Sequence, residues 1–349
     1  MTLNRKYALL FAILLPVFVL CSCGYEKYTD DTFFAMDTVV YMQIQGANES
    51  DIKNIENMLS DIENDVSKTV PESCVYRFNE SENGGVLSGY AGDIMKRAIG
   101  FAKKTDGKFD FTLGRLSDLW NITGGSEYVP KESEINEALK HCGYEKIKES
   151  GENIFTKTDS ELKIDFGACA KGYASDLIIK DLKKCGFENA MVSLGGNISV
   201  TGSSEKNLKT GKHGWNIAIK NPFDTTGIVG TVTATDITVA VSGDYERYFE
   251  KDGVRYHHIL DRLSGYPAWN GLKSTAVFSK DGITADALST ALFVAGYEES
   301  MKIYNSKEFD FEAIFICQDG NVYTTDGIRE FFEPCNDAFY NDRETLKFN

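Results

Sequence analysis

Asp286 and Thr290 stand four residues apart in a run of small residues, Ala285-Asp286-Ala287-Leu288-Ser289-Thr290-Ala291. On a helix that spacing places a carboxylate and a hydroxyl on one face. Both are hard oxygen donors that suit Mg2+, which keeps several waters and takes substrate phosphate oxygens. An aspartate set at a helix N-terminus for the dipole, beside an ordinary threonine, leaves the same pattern.

His257 and His258 are two of only 4 histidines in the chain. Neighbours on a strand point to opposite faces, so one of them at most faces a given site. His258 shares its side with Tyr256 and Leu260 and could take a proton near neutral pH. The alternative is one packed and one exposed histidine. No third His or Cys lies at ligand spacing, which argues against zinc.

The third candidate is the stretch from Leu162 to Asn197. Asp165 ends an extended segment, Phe166-Gly167-Ala168 turns, and a helix opens with small residues and Lys171 in its first turn. The N–H groups and positive dipole end of such a helix suit a phosphate and its metal. An ordinary strand–helix connection with a chance lysine reads the same way. Gly195-Gly196-Asn197 is not a dinucleotide fingerprint, and neither a Walker loop nor a GxSxG elbow occurs. Cys169 has no base near it in sequence and reads as a small packed residue.

These groups need elements to hold them. Residues 33–44 are β-rich. Asn48 caps an amphipathic helix with Ile52, Ile55, Leu59, Ile62 and Val66 at helical spacing. Residues 67–89 read as loop and turns, 90–104 as a helix, 106–116 as a turn and an extended segment, and 132–140 as a short helix. Residues 162–165 read as a strand and 169–184 as a helix with Ala170, Ala174, Leu177, Ile178 and Leu182 inward. Gly186 follows at the helix stop, and 190–194 is a short buried strand. The second half is richer in strands, with an Asp252-Gly253 hairpin signal before the histidines. A helix carries Asp286, another spans 297–305, and 312–317 is a strand. The pattern is α+β, one compact unit with room for two lobes and no long linker.

The chain has 349 residues, 42% of them apolar, enough for a large core. Its net charge of −15 disfavours nucleic acid and anionic membrane surfaces as partners. Arg5 and Lys6 precede an apolar run at 7–20, short for a membrane span and suited to a signal peptide. Leu20-Cys21-Ser22-Cys23 resembles a bacterial lipobox with Cys23 as the modified residue. The expectation is a signal peptide over 1–22, lipidation of Cys23, a tether over 23–32, a domain over 33–349, and anchorage on the outer face of the cytoplasmic membrane. Cleavage without lipidation is the alternative. The remaining cysteines show no CxxC and no zinc spacing.

Taken together, Met36-Asp37-Thr38, the run Gly107 to Gly114, the run Asp165 to Gly172, Leu194-Gly195-Gly196-Asn197, Ser242-Gly243-Asp244-Tyr245, His257 to Asp261 and Ala285 to Ala291 occur in the order of the ApbE family, the FAD:protein FMN transferases. The resemblance spans about residues 33–300. It implies a T-fold-related unit of mixed, largely antiparallel sheets with flanking helices. It implies FAD as substrate, Mg2+ as cofactor, and transfer of FMN to a threonine hydroxyl of a partner flavoprotein with release of AMP. Residue by residue, it implies Asp165 and Lys171 as FAD ligands, with Lys108, Phe109 and Asp110 lining the nucleotide site and Met36 and Leu260 as apolar contacts. Asp286, Thr290 and the Ala168 carbonyl would hold the metal, and His258 would be the base. Arg262 stands where the family usually has proline, and was open to a phosphate contact or to solvent; Arg115 likewise follows Gly114 in place of the common proline. An FAD pyrophosphatase giving FMN and AMP, and a flavin-binding lipoprotein without chemistry, are the alternative functions.

Overall fold

The computed structural model describes residues 27–335 apart from Thr225. The expected signal peptide, the expected lipidation site at Cys23 and residues 24–26 of the expected tether lie outside the described residues. Among those described, no helix is long and apolar enough to cross a membrane.

The chain opens with a hairpin, β1 (Tyr28–Ala35) and β2 (Thr38–Gln45). Among the described residues the β-structure reaches back to Tyr28, ahead of the β-rich stretch expected from residue 33, because Tyr28 to Thr32 pair with Tyr41 to Gln45. Met36 and Asp37 turn the hairpin, both with positive φ (52° and 56°). Two such residues in succession match the right-handed twist of the flanking strands. They also hold a methionine in backbone space that L residues avoid, which marks its placement as constrained.

Three helices follow, α1 (Glu49–Val66), α2 (Cys74–Glu80) and α3 (Gly89–Lys104), with β3 (Gly84–Val86) before the third. Asn48 and Asp51 form a reciprocal capping box on α1, a device worth about 1 kcal/mol. The segment expected as loop at 67–89 thus contains α2, capped by Ser73. Seven residues give too short a period for sequence to reveal. Next come α4 (Gly114–Trp120), where extended chain was expected, α5 (Glu132–Lys140), and the hairpin β4 (Ile147–Gly151) and β5 (Ile154–Lys157). Leu116 and Trp120 turn inward four residues apart to cover Ile135, Phe249 and Leu260, and tertiary packing of that face selects the helix.

Residues 162–165 are extended but belong to no ladder; one parallel bridge joins Lys163 to Leu113. Then α6 (Ala170–Lys184) runs with Ala170, Ala174, Ile178 and Leu182 buried, and Leu177 only partly so. Phe187 N–H returns to Leu182 O, and Gly186 (φ 90°) closes the helix as its position suggested. Strands β6 (Ala190–Leu194) and β7 (Asn197–Thr201) form a hairpin around Gly195-Gly196, followed by the short α7 (Glu205–Lys209). Then come β8 (Trp215–Lys220), β9 (Ile228–Ala234), β10 (Ile237–Gly243) and the hairpin β11 (Tyr248–Lys251) and β12 (Val254–His257). The chain closes with β13 (Leu272–Ser279), α8 (Gly282–Ala295), α9 (Tyr297–Ser306), β14 (Glu312–Cys317), β15 (Val322–Thr324), α10 (Asp326–Arg329) and β16 (Phe332–Pro334).

One antiparallel sheet, in the order β1-β2-β6-β7-β10-β13-β14-β15, carries strands from both ends of the chain. Its two faces are both buried. Val277, Ala313 and Phe315 face the helices, while Ala276, Phe278, Ile314 and Ile316 face the small sheet β16-β9-β8. The period-2 alternation of a strand thus feeds two cores. A third cluster, around Trp120, joins α4 and α5 to the β11–β12 hairpin.

Helix α8 is buried on nearly every side and packs on β10, β13 and α6. Its contact with α6 is backbone on backbone. A Cβ on Gly172 would lie 2.2 Å from Gly282 O and 2.6 Å from the Asp286 Cβ. Gly172→Ala is therefore expected to cost roughly 1–3 kcal/mol through overpacking, read as a lowered midpoint in thermal unfolding; an unchanged midpoint would show that the helices separate freely there.

Candidate active site

The close approach of α6 and α8 delivers the Asp286 carboxylate to the N-terminus of α6, where Oδ2 accepts the Gly172 N–H at 2.8 Å. One donor of the presumed phosphate cradle is thus spent on an internal carboxylate. Thr290, one turn along α8, lies with its Oγ1 3.4 Å from Ser242 Oγ at the end of β10. Ser242 also contacts Ser289 at 2.9 Å. In return, Asp176 of α6 accepts the N–H groups of Gly282 (2.6 Å) and Ile283 (3.1 Å) at the start of α8.

Asp165 is held from an unexpected side. Its Oδ2 lies 2.9 Å from Lys68 Nζ, and its Oδ1 accepts the Gly167 N–H at 2.8 Å. Burial acts to raise the Asp165 pKa, but the Lys68 ammonium, the Gly167 N–H and Lys171 together outweigh it, so the net shift is downward. Lys68 also contacts Asp118 at 3.1 Å and Ser117 at 3.2 Å. It sits in the segment expected as loop, with no local partner in the sequence to single it out. Lys171 donates to Gly167 O at 3.1 Å. Its charge acts on Asp165, His258 and Glu246 together. The Cys169 thiol feels Asp286, Lys171 and Asp165 at once. Lys171 in the first turn of α6 thus lies within electrostatic reach of Asp165 and His258, and Asp286 reaches the same turn through the Gly172 N–H. Cys169 itself is fully buried, with burial pushing its thiol well above the usual value, and it serves packing.

The two histidines divide: His257 ends β12, and His258 lies in the bend that follows. His257 is buried, its Nε2 donates to Ala268 O at 3.0 Å, and its Nδ1 accepts the Ile259 N–H at 3.3 Å. It packs edge-on against Phe293 of α8. Burial holds its pKa down to about 4, so it is a neutral structural residue. His258 places Nδ1 3.3 Å from Arg247 O. A carbonyl only accepts, so Nδ1 carries the proton and Nε2 keeps the lone pair. Burial, His257 and Lys171 lower its pKa to about 4, which keeps the ring neutral at neutral pH. Arg247 also donates to the carbonyl of Asp37 at 2.9 Å, tying the His258 segment to the hairpin tip at Met36. Met36 N–H donates to Glu63 at 3.0 Å. Asp244, contacting Lys273 at 2.7 Å and Arg255 at 3.6 Å, fixes the β11–β12 hairpin to β13.

Other expected site residues lie differently. Phe109 is in the core, edge-on to Phe101, because it follows Lys108 into the interior; its ring is packing rather than lining. Asp110 has a wholly buried side chain whose oxygens are already taken. Oδ1 accepts from the Thr112 N–H and hydroxyl (2.8 and 2.6 Å), and Oδ2 faces Tyr144 N–H and Arg262 (3.3 and 3.4 Å). Arg262 pairs with Asp110 and Glu145 over the Tyr144 ring. Gly107 leaves it room, since a Cβ there would sit 2.8 Å from its guanidinium. Arg115 pairs with Glu161. Leu260 is buried in the Trp120 cluster. Lys108 is half-buried, and its charge reaches Glu299 of α9.

A cleft of about 470 Å3 between α6 and β10, lined by Lys180, Lys183, Asp236 and Lys280, lies apart from these groups. A smaller one of about 290 Å3, lined by Lys68, Asn79 and Asp118, adjoins Asp165 through Lys68. Neither is lined by Asp286 or His258, so convergence of charged groups, not cavity volume, marks the site.

The fold with this geometry is that of a known class. The apbe protein of Thermotoga maritima superposes with a TM-score of 0.78 at 34% identity, over 87% of this chain and 99% of that one. The flavin transferase ApbE from Vibrio cholerae superposes with a TM-score of 0.77 at 29% identity, with the same coverage. The model of the ApbE family matches residues 36–315. An FAD:protein FMN transferase of Treponema pallidum is 36% identical over 246 residues, 67% of each chain. One from Vibrio cholerae is 32% identical over 300 residues, 84% of this chain and 86% of the relative. The chain belongs to the ApbE family.

Asp176 supplies a pH test of the helix-end exchange. Burial raises its pKa to about 6 against two opposing N–H bonds. A folded-state pKa above the unfolded value means that the stability of the parent relative to Asp176→Asn is greatest near pH 4 and declines as pH rises through about 6. Paired unfolding curves at pH 4.5 and 7.5 read the difference; a pH-independent gap would contradict the buried cap.

Proposed function

We propose that this chain is a Mg2+-dependent FAD:protein FMN transferase, moving FMN from FAD to a threonine hydroxyl of a partner flavoprotein and releasing AMP. Kinship to the FAD:protein FMN transferases supports the reaction. The observation that carries the residue assignment is the electrostatic reach of Lys171 to Asp165 and His258, with Asp286 on the same turn of α6.

The donor set fits the metal. Asp286, Thr290 and the Ala168 carbonyl are hard oxygens, and among the described residues no group of three or more His, Cys, Asp or Glu side chains gathers into a cage. A site poor in protein ligands suits an ion that keeps waters and takes phosphate oxygens. Bound there, Mg2+ would supply neutralising charge to the pyrophosphate. Lys171 adds a cation, and Asp165, held rigid by Lys68, orients the nucleotide. His258 Nε2 accepts the threonine proton as its oxygen attacks the FMN-side phosphorus. The bond from that phosphorus to the bridging oxygen breaks, and AMP leaves with the bridging oxygen. The low basicity of His258 suits a base that must be unprotonated at neutral pH. The acceptor is an extracytoplasmic flavoprotein, and the enzyme is anchored on the outer face of the cytoplasmic membrane through lipid on Cys23; the lipobox-like sequence supports this.

The full chain incubated with FAD, Mg2+ and a candidate acceptor should add one FMN mass to the acceptor. Free FMN and AMP with an unmodified acceptor would instead indicate hydrolysis. Asp286→Ala should abolish transfer in a folded protein, and full activity in that variant would sink the metal assignment. His258→Asn should slow transfer by roughly 10^2–10^4-fold with FAD affinity little changed; the reverse pattern would reassign His258 to binding.

A further inference from the structure

The segment before Asp165 has the alternation of a strand, but beyond one parallel bridge to Leu113 it belongs to no ladder. Ile164 is fully buried, and its peptide groups still need partners. One side chain provides both. Asn79 of α2 donates Nδ2–H to Ile164 O at 2.9 Å and accepts the Ile164 N–H on Oδ1 at 2.7 Å. An amide side chain thus stands in for the neighbouring strand of a ladder. Asn79 is itself buried and is held by Lys157. The Lys157 ammonium, also buried, donates to the carbonyls of Asn79, Ser160 and Leu162, each at 3.0 Å. Its three protons are all used, and none goes to a carboxylate. On the other side of Ile164, Asp165 N–H donates to Phe111 O at 2.8 Å.

We propose that Asn79 is a positioning residue for the turn from Asp165 to Ala168, with Lys157 fixing Asn79. The amide sets the plane of the Ile164 peptide. That plane sets where Asp165 leaves the chain and how its carboxylate meets Lys68. The same segment fixes where the Ala168 carbonyl points. Lys68 follows the end of α1 and Asn79 lies near the end of α2, so the linker before α2 and α2 itself each grip the turn at one point. This inference rests on the reading of Asp165 as a nucleotide ligand. An amide is required, because an aspartate of the same shape would keep the acceptor but turn a second oxygen against Ile164 O.

The test uses Asn79→Asp, Asp165→Asn and their combination in the full chain. FAD affinity is measured by flavin fluorescence in EDTA, together with the Mg2+ concentration for half-maximal transfer and the unfolding midpoint. Asn79→Asp should weaken FAD binding at least tenfold. In the Asp165→Asn background it should add less than a twofold further loss, because both changes act through one carboxylate. Losses that multiply in the double variant would overturn the proposal. So would an Asn79→Asp protein with a lowered midpoint but parental FAD affinity and Mg2+ requirement, which would mark Asn79 as purely structural. Parental FAD affinity in Asp165→Asn alone refutes the nucleotide reading instead. Should Asn79→Asp not fold, Lys157→Met, which frees the Asn79 and Leu162 carbonyls, is read by the same criteria.

Discussion

Two helix ends trade carboxylates, and the rest of the site depends on it. Asp176 of α6 takes the first N–H groups of α8, and Asp286 of α8 takes an N–H in the first turn of α6. Each helix supplies the other's cap, which satisfies donors left open by helix geometry and places negative charge at two positive dipole ends. The exchange is possible only because Gly172 and Gly282 let the backbones meet: a Cβ on either would lie within 2.7 Å of the other's carbonyl. Asp286 and Lys171, the proposed metal and phosphate ligands, are thereby fixed to one another, since they ride on the two helices so locked.

Around that lock, a strongly acidic chain has to hold anions near an anionic substrate. It does so with cations placed inside. Lys68 neutralises Asp165 and braces it against Asp118. Lys157 does a different task, gathering three carbonyls where no strand supplies donors. Arg262 closes the segment after His258 onto Asp110 and Glu145. Lys68, Arg262 and the Lys157–Asn79 contact join residues far apart in the chain, and each cation stiffens a segment that the sheet does not hold.

The histidine pair divides labour where β12 ends. One ring is buried against Phe293 with both nitrogens engaged, which anchors β12 to α8. The next ring lies in the bend beyond the strand, and Arg247 O fixes its proton on Nδ1. Arg247 also reaches the strained tip at Met36 and Asp37, so the hairpin that opens the fold and the one that ends at the histidines are coupled through a single side chain.

Periodicity made much of this visible in advance. The capping box at Asn48, the stop at Gly186, the Asp252-Gly253 hairpin and the one-face pairing of Asp286 with Thr290 are local, and local sterics and hydrogen bonding decide them. The ordered motifs likewise sufficed for the family and its α+β class. Other features are invisible to any window of sequence. A helix of seven residues at α2 has too few turns to show a period, and α4 is helical because Trp120 and Leu116 find a cover. Residues 162–165 look like a strand because Leu162 and Ile164 face inward, yet Asn79 and Lys157 fill the partner's place. Sequence by itself determined which residues could do chemistry and which local element holds each one. Tertiary structure alone decided that Lys68 belongs to Asp165, that Arg262 and Asp110 satisfy each other, and that Phe109 packs inside, because those outcomes depend on side chains brought together from distant parts of the chain and on the cost of leaving any buried charge or peptide group without a partner.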